Sequence, residues 1–151
     1  SAKSARRYRL HVAEPKSAYL HRPPLVTDAS VIAAALFGED HSDEAFALLR
    51  GRTLHAPHLL DHEMGSVALK KVRREGLAWT AVASALRDYG GLALERHTVD
   101  AEVVVAVAHR YELTAYDAAY LELAMRSRCP LATVDVQLAA AARAAGLDVL
   151  P

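Results

Sequence analysis

The chain has 151 residues, 18 basic and 18 acidic side chains, and a hydrophobic fraction of 52%. This length predicts one domain with its own core, and the composition excludes a disordered or collagen-like chain. The single cysteine, Cys129, excludes an internal disulfide and a cysteine-rich zinc site, and it fits a reducing compartment. No apolar run approaches the ~18–20 residues of a membrane helix. We therefore expect a cytoplasmic protein.

The charge is distributed unevenly along the chain. Six of the 18 basic residues but only one of the 18 acidic residues precede Leu25, which leaves twelve basic against seventeen acidic residues afterwards. The first 24 residues also lack sustained periodicity and end in Pro23-Pro24. We predict a basic N-terminal extension over residues 1–24 and one domain over residues 25–151. The acidic balance of that domain directs attention to carboxylate chemistry.

From Leu25 onward, short apolar runs alternate with helical stretches. The pattern predicts strands over residues 25–27, 53–56, 92–94, 131–134 and 148–150. It predicts helices over residues 29–37, 43–50, 58–75, 79–89, 99–110, 115–126 and 136–145, with Thr114 capping the sixth. Strands separated by helices imply right-handed crossovers and a parallel sheet covered on both faces. The predicted fold class is α/β.

Two apolar stripes in the predicted helices have the spacing of core-facing residues. One consists of Trp79, Val82 and Leu86, and the other of Val103, Val107 and Tyr111. Such stripes usually pack into a core, so we expect both to be buried.

Four acidic residues stand where a parallel sheet binds its ligands, at the carboxyl ends of strands. Asp28 and Asp135 directly follow predicted strands, whereas Glu63 and Asp117 lie in the first turns of predicted helices. Hard divalent cations such as Mg²⁺ take carboxylate oxygens, activate water and stabilise charge on a phosphoryl group. Crowded carboxylates are costly without a cation, so a convergent set indicates a metal site.

Each acid taken singly also has a purely structural interpretation. Asp28, Asp117 and Asp135 can cap their helices or interact with the helix macrodipole. Glu63 fits this alternative poorly because it stands among Leu59, Leu60, Met64 and Val67, where an unpaired carboxylate is unfavourable. The combination of the four residues favours a site.

Four segments together resemble the PIN domain, specifically the VapC-type toxins of bacterial toxin–antitoxin pairs. They are residues 25–30 (LVTDAS), 63–68 (EMGSVA), 113–121 (LTAYDAAYL) and 131–138 (LATVDVQL). The resemblance covers nearly all of residues 25–151. It implies a three-layer α/β/α fold around a parallel sheet of about five strands. It also implies an endoribonuclease that depends on Mg²⁺ or Mn²⁺.

The same resemblance assigns the residues of the site. The family's acidic quartet falls on Asp28, Glu63, Asp117 and Asp135 as metal ligands, and its hydroxyl near the last acid falls on Thr133. Ser30 assists near the first acid. The implied reaction is in-line hydrolysis of an RNA phosphodiester, which leaves a 5′-phosphate and a 3′-hydroxyl. The implied partners are RNA, a VapB-like antitoxin that neutralises the acidic site, and a second copy in a homodimer.

RNA must reach an acidic site, so positive charge is expected nearby. The candidates in the domain continue the Glu63 helix: Lys70, Lys71, Arg73 and Arg74. The alternative is that these are ordinary helix C-terminal cations favoured by the macrodipole. The N-terminal run Arg6-Arg7-Tyr8-Arg9 can also contact RNA, although a solvated tail is the simpler interpretation.

Other functions fit the sequence less well. A PIN-like module that binds RNA or protein without cutting has no need for all four acids. A hydrolase acting on small phosphates needs a basic phosphate clamp, which the sequence does not identify. His58 and His62 have a spacing that can bind zinc, but Leu59 replaces the glutamate of a zincin and no third ligand is evident.

Overall fold

The computed structural model describes residues 22–151, in which a five-stranded parallel sheet is packed against seven helices. The strands are β1 (Leu25–Thr27), β2 (Leu54–Pro57), β3 (Leu94–His97), β4 (Leu131–Ala132) and β5 (Val149–Leu150). The helices are α1 (Ala29–Leu36), α2 (Ser42–Leu49), α3 (Leu59–Arg73), α4 (Trp79–Gly90), α5 (Ala101–Tyr111), α6 (Ala115–Ser127) and α7 (Val136–Ala144). The predicted α/β class and parallel sheet are confirmed.

The order of the strands across the sheet is β3-β2-β1-β4-β5, and every neighbouring pair is parallel. The chain therefore runs from β1 outward to β3 and then returns to the other side of β1 to form β4 and β5. This reversal makes the boundary between β1 and β4 the topological switch point, where loops diverge and leave a crevice. Val26 of β1 pairs with Leu131 of β4, which brings the ends of these two strands together.

The helices form two groups, one on each side of the sheet. Helices α1, α2, α3 and α4 pack on one another, and α5, α6 and α7 form a second group in which α6 lies against β1, β2 and β4. The central strands are covered on both faces, and this explains why β1 and β4 consist of fully buried apolar residues and a threonine. Helices α1 and α6 are the most buried, with seven buried residues each, and those of α6 run without a break from Ala118 to Ala124.

Most predicted boundaries agree with the structure to within two residues, but the third strand does not. It was predicted over residues 92–94 and is found at Leu94–His97. This segment forms the sheet edge and contains Glu95, Arg96 and His97, so it lacks the apolar run that identifies a buried strand.

The expectation that both helical stripes are buried is also wrong at two positions. Trp79 is 63% exposed and Val103 is 45% exposed, whereas Val82 is fully buried. Trp79 is the first residue of α4, and in α5 the buried residue is Val104, so its neighbour Val103 faces away from the core.

The predicted N-terminal extension falls largely on residues 1–21, which lie outside the described residues, and so does the Arg6–Arg9 run. The C-terminal end of the predicted extension, which is described, is hydrogen-bonded to the domain. Arg22 Nη1 donates hydrogen bonds to the carbonyl oxygens of Ala47 and Arg50, at 2.7 and 2.8 Å. Within residues 22–151, no helix has the length and apolar character required to cross a membrane.

Candidate active site

Asp28 occupies the centre of the switch point, between β1 and α1. Its carboxylate caps α1, with Oδ1 accepting hydrogen bonds from the backbone N–H groups of Ser30 and Val31 at 3.0 and 3.3 Å. Asp28 is only 7% exposed. Burial raises the pKa of Asp28, although the hydrogen bonds from Ser30, Thr133 and Val31 act in the opposite direction. A buried carboxylate of this kind is stabilised by a cation.

Two hydroxyl groups connect Asp28 to the end of β4. Ser30 Oγ donates to Asp28 Oδ1 at 2.6 Å and accepts from the N–H of Val134. Thr133 Oγ1 donates to Asp28 Oδ2 and accepts from the N–H of Asp135 at 3.0 Å. Each hydroxyl therefore acts as donor and acceptor at once. The two bridges fix the Asp28 carboxylate relative to the 133–135 segment.

Asp135 is the last residue of that segment and caps α7. The Asp135 Oδ1 atom accepts a hydrogen bond from the N–H of Leu138 at 2.7 Å, and Asp135 is exposed to solvent. Capping is thus a real role of both Asp28 and Asp135. It uses one oxygen of each carboxylate for backbone contacts and leaves the other oxygen, Oδ2, with no such contact. The structural and the chemical interpretations are therefore compatible for these two residues.

Asp117 lies in the first turn of α6, where Thr114 is the residue that caps the helix. Thr114 Oγ1 accepts from the N–H of Asp117 at 3.1 Å, which confirms the predicted cap. The Asp117 carboxyl group is half-buried, and its pKa is raised by that burial and then by the charges of Asp135 and Asp28. Asp117 is therefore close enough to both of these carboxylates to be repelled by them.

Glu63 approaches the same place from α3, on the opposite side of the sheet from α6. Its Oε1 accepts a hydrogen bond of 2.6 Å from the hydroxyl of Tyr120, a residue of α6 that is 1% exposed. Burial raises the pKa of Glu63, and the charges of Asp28 and Asp117 add to this effect, whereas the Tyr120 hydroxyl lowers the pKa. All four predicted acids thus meet at the switch point.

The four acids, Asp28, Glu63, Asp117 and Asp135, form the acidic quartet, and two of them, Glu63 and Asp117, line a groove of about 530 Å³. Glu63, Ser66 and His62 line it from α3, and Thr114, Tyr116 and Asp117 line it from the start of α6. Tyr116 is 68% exposed, which is unusual for an aromatic side chain beside two carboxylates. The groove gives an extended ligand direct access to Glu63 and Asp117.

The donor set of the quartet fits Mg²⁺ or Mn²⁺. Within residues 22–151, no three of the four acids bring carboxylate oxygens within 4.8 Å of one another. That spacing disfavours an all-protein cage, but Mg²⁺ usually binds one or two carboxylates and completes its shell with waters and substrate phosphates. The raised pKa values of Asp28, Glu63 and Asp117 reflect burial and, for the latter two, mutual repulsion, both of which a divalent cation offsets.

The four predicted RNA-binding residues of α3 and its C-terminal end differ in whether their charge is paired. Lys71 is paired with Glu39 at 2.7 Å and with Glu75 at 3.2 Å, so its charge is compensated. Lys70, Arg73 and Arg74 are exposed at the C-terminal end of α3. Lys70 and Lys71 line a second groove, of about 580 Å³, together with Glu39, Asp40, Glu44 and Glu75. Acidic residues therefore dominate the charge of this groove.

Two residues that sequence reasoning left without a role contribute to the site. Tyr120 positions Glu63, and Tyr116 presents an exposed ring next to Asp117. Both belong to the segment 113–121 that carries the family resemblance. The spacing of Tyr120, three residues after Asp117, places both on the same face of α6 and was the available indication. Tyr116 gave no such indication, because its exposure depends on the groove.

Of the other candidate residues, Cys129 packs in the hydrophobic core, whereas His62 lines the groove beside Glu63. Cys129 is a free, buried cysteine whose thiol pKa is raised by burial, as expected for a structural residue. His58 stands at the start of α3, and His62, one turn later, lines the groove of the quartet.

Comparison with known proteins agrees with the fold. The model of the PIN domain family matches residues 25–144. Ribonuclease VapC9 of Mycobacterium tuberculosis is 34% identical over 114 residues, which cover 76% of this chain and 87% of that protein. Ribonuclease VapC3 of Pyrobaculum aerophilum is 36% identical over 121 residues, which cover 76% of this chain and 92% of that protein.

A solved structure shows the same architecture. The crystal structure of PAE2754 from Pyrobaculum aerophilum matches with a TM-score of 0.66 at 25% identity, and the match covers 83% of each chain. Together with the sequence relatives, it confirms the resemblance that the four segments indicated.

Proposed function

The chain belongs to the PIN-domain family, with VapC ribonucleases among its relatives, and we propose that it is itself a divalent-metal-dependent endoribonuclease. The proposal includes its role as the toxin of a toxin–antitoxin pair, acting on RNA in the cytoplasm. The observation that carries it is the convergence of Asp28, Glu63, Asp117 and Asp135, whose charges act on one another beside a groove that Glu63 and Asp117 line. A protein that only binds RNA has no reason to retain four mutually repelling acids.

In this proposal the quartet holds Mg²⁺ or Mn²⁺, and the bound cation supplies Lewis-acid activation of water and of the phosphoryl group. Asp28 and Asp117 are the principal ligands, with Glu63 contributing directly or through water. The oxygen of Asp28 that faces Thr133 accepts a single hydrogen bond and retains a lone pair for this purpose. Ser30 and Thr133 hold the Asp28 carboxylate in one orientation, so no reorganisation is required when the ligand arrives.

The reaction is hydrolysis of a phosphodiester with in-line attack by water. Asp135, the most exposed acid of the quartet, orients the attacking water and accepts its proton. The water oxygen forms a bond to phosphorus while the bond to the 3′ oxygen breaks, and solvent protonates that oxygen. The products are a 5′-phosphate and a 3′-hydroxyl.

RNA is the proposed polymer because the groove offers a stacking surface next to the acids. The Tyr116 ring is 68% exposed and lies beside Asp117, where an unstacked base of a single-stranded segment can lie on it. Lys70, Arg73 and Arg74 provide exposed positive charge at the end of α3 for the phosphates. Lys71 contributes less, because two glutamates already compensate its charge.

The second groove, between α1, α2 and α3, is the proposed docking site of a VapB-like antitoxin. Its lining includes Ala33, Ala34 and Val67 together with four acidic residues, and it reaches Ser30 and Val134 beside Asp28. Apolar walls with an acidic rim complement an amphipathic segment that carries basic residues. A basic side chain entering from here would neutralise the quartet. A homodimer of this chain is part of the same proposal.

The test is cleavage of labelled total RNA by the purified protein with Mg²⁺, with Mn²⁺ and with excess chelator. Asp28→Asn and Asp117→Asn should abolish the fragments that the wild-type protein produces. The matched control is Asp100→Asn. Asp100 caps α5 through the N–H groups of Glu102 and Val103, as Asp28 caps α1, but it lies outside the quartet.

Asparagine caps a helix about as well as aspartate, so capping alone predicts no loss in any variant. Discrete metal-dependent fragments that persist in Asp100→Asn and vanish in the two quartet variants would support the enzyme. RNA binding without cleavage, equal in all proteins and independent of metal, would overturn it in favour of a binding module.

A further inference from the structure

A second group of metal-ligand side chains lies on the β2–β3 side of the sheet, away from the switch point. His55 comes from β2, and Glu95 and His97 come from the edge strand β3. His55 is the register partner of Glu95, and His97 stands two residues further along the same strand. Because side chains alternate along a strand, all three project from the same face of the sheet.

The ligand atoms of these three side chains converge on one point. His55 Nδ1 lies 2.8 Å from His97 Nε2 and 3.6 Å from Glu95 Oε2, and the three atoms are all within 4.8 Å of one another. In the part of the chain that the structure describes, this is the one group of three such residues with that geometry. Tetrahedral zinc with bonds of about 2.0–2.1 Å separates its ligands by about 3.4 Å. A shift of about 0.6 Å between the two rings therefore accommodates the ion.

We propose that His55, Glu95 and His97 bind a transition-metal cation of the zinc type, with water as the fourth ligand. Two imidazole nitrogens and one carboxylate are a donor set that zinc prefers, whereas Mg²⁺ selects oxygen ligands. The site thus differs in chemistry from the acidic quartet. It also lies on strands that the proposed ribonuclease reaction does not use, so neither proposal depends on the other.

Charged groups of the neighbouring elements also lie close to His97. The pKa of His97 is lowered by burial, by His55 and by Arg126, with a smaller contribution from His58, whereas Glu95 opposes the change. The positive charge of Arg126 is partly compensated, because its guanidinium bonds to Glu122 at 3.0 Å and to the carbonyl oxygen of Thr98 at 2.9 Å. The 2.8 Å contact between the rings is a hydrogen bond between His55 Nδ1 and His97 Nε2. Its N–H proton lies between the two nitrogens, where the proposed cation would bind.

The expected consequence is a link between the edge strand and the rest of the sheet. Among the strands of residues 22–151, β3 pairs with β2 alone and forms the edge of the sheet, so a cation shared by both strands stabilises that edge. Binding should raise the temperature at which the protein unfolds and should leave the chemistry of the quartet unchanged.

The test uses tag-free full-length protein and Co²⁺ as a spectroscopic substitute for zinc. The titration is performed in excess Mg²⁺, which occupies the quartet but does not compete for imidazole. We expect one Co²⁺ per chain with the visible absorption bands of a four-coordinate site containing nitrogen, and we expect Zn²⁺ to displace it. The same titration with Zn²⁺ should raise the unfolding temperature.

Three variants remove one ligand each: His55→Gln, His97→Gln and Glu95→Gln. Each should weaken Co²⁺ binding by at least about tenfold, since even the loss of an outer hydrogen-bond partner has an effect of this size. The Glu95 side chain is 64% exposed, so its replacement does not threaten the fold. His109→Gln on the exposed surface of α5 is the control and should bind as the wild-type protein does.

Two results would overturn the proposal. One is the absence of visible bands in the wild-type protein in excess Mg²⁺. The other is equal binding by the wild-type protein and by Glu95→Gln and both histidine variants, which would indicate adventitious surface coordination. Loss of RNA cleavage in the quartet variants is a separate readout, and its outcome does not affect this site.

Discussion

Replacing Tyr120 by phenylalanine tests how the quartet is held together. The phenolic hydroxyl donates to Glu63 Oε1 at 2.6 Å, a length typical of a bond to an ionised carboxylate. Phenylalanine keeps the ring in the core, where Tyr120 is 1% exposed, and removes only the donor. The change therefore separates the hydrogen bond from the packing of α6.

The magnitude follows from the character of the bond. A hydrogen bond to a charged group contributes about 1.5–3 kcal/mol, and because Glu63 is half-buried and open to the groove we expect the lower part, about 1.5–2 kcal/mol. For a chain of this length that is a decrease of about 3–8 °C in Tm. The hydroxyl also lowers the pKa of Glu63, so the variant should raise that pKa further.

The pH dependence has a definite sign. The lost bond is strongest with ionised Glu63, so the stability difference between variant and wild type is largest at neutral pH and decreases as pH falls through the pKa of Glu63. In the variant, the acid limb of the pH–rate profile for Mg²⁺-dependent cleavage should shift to higher pH, because a larger fraction of Glu63 is protonated at any given pH. Urea unfolding over pH and the pH–rate profile measure the two effects.

The chain offers a matched control in Tyr89, whose hydroxyl donates to Asp61 at the same distance of 2.6 Å. Asp61 lies outside the quartet and keeps two further bonds from Arg96. Tyr89→Phe should therefore reduce stability less and leave the pH–rate profile unchanged. If both tyrosine variants shift the profile equally, or if neither does, Tyr120 does not position Glu63.

Three further predictions concern charge, backbone strain and stacking. Asp117→Asn should stabilise the metal-free protein by about 0.5–1 kcal/mol at pH 7 while abolishing cleavage, because burial and two neighbouring carboxylates raise the pKa of Asp117 and penalise its ionised form. The penalty on the ionised carboxylate of the wild type grows as pH rises through the folded pKa of Asp117, so the extra stability of the variant should vanish below about pH 4. Urea unfolding at pH 7 and at pH 4 measures this, and a variant less stable than the wild type at pH 7 would refute it. Arg128 ends α6 with φ of 52°, so Arg128→Gly should raise stability by about 0.5–1 kcal/mol in thermal unfolding, whereas Arg128→Ala, which keeps the left-handed strain, should not. Tyr116→Leu should weaken RNA binding by about 1–3 kcal/mol in a filter-binding titration, and equal weakening by Tyr116→Phe, which keeps the ring, would contradict stacking.

Local sequence patterns were sufficient for most of the fold. The buried strands β1 and β4 lie in short, mainly apolar runs that an acid follows, residues 25–27 before Asp28 and residues 131–134 before Asp135. Both strands were predicted, because a strand covered on two faces needs buried, mainly apolar residues. The strand β3 was misplaced because its polar residues face solvent at the sheet edge. The same limit applies to Trp79 and Val103, whose spacing predicts burial although in α5 it is Val104, the next residue, that packs into the core.

The sequence by itself identified the four acids, since their positions after strands and at helix starts depend only on local order along the chain. Only the tertiary structure decided how they interact. The bond from Tyr120 to Glu63 joins residues 57 positions apart, and that from Thr133 to Asp28 joins residues 105 apart. His55 and His97 meet across 42 residues because β2 and β3 pair in one particular register. Register and packing depend on the whole core at once, and no local window of residues contains that information.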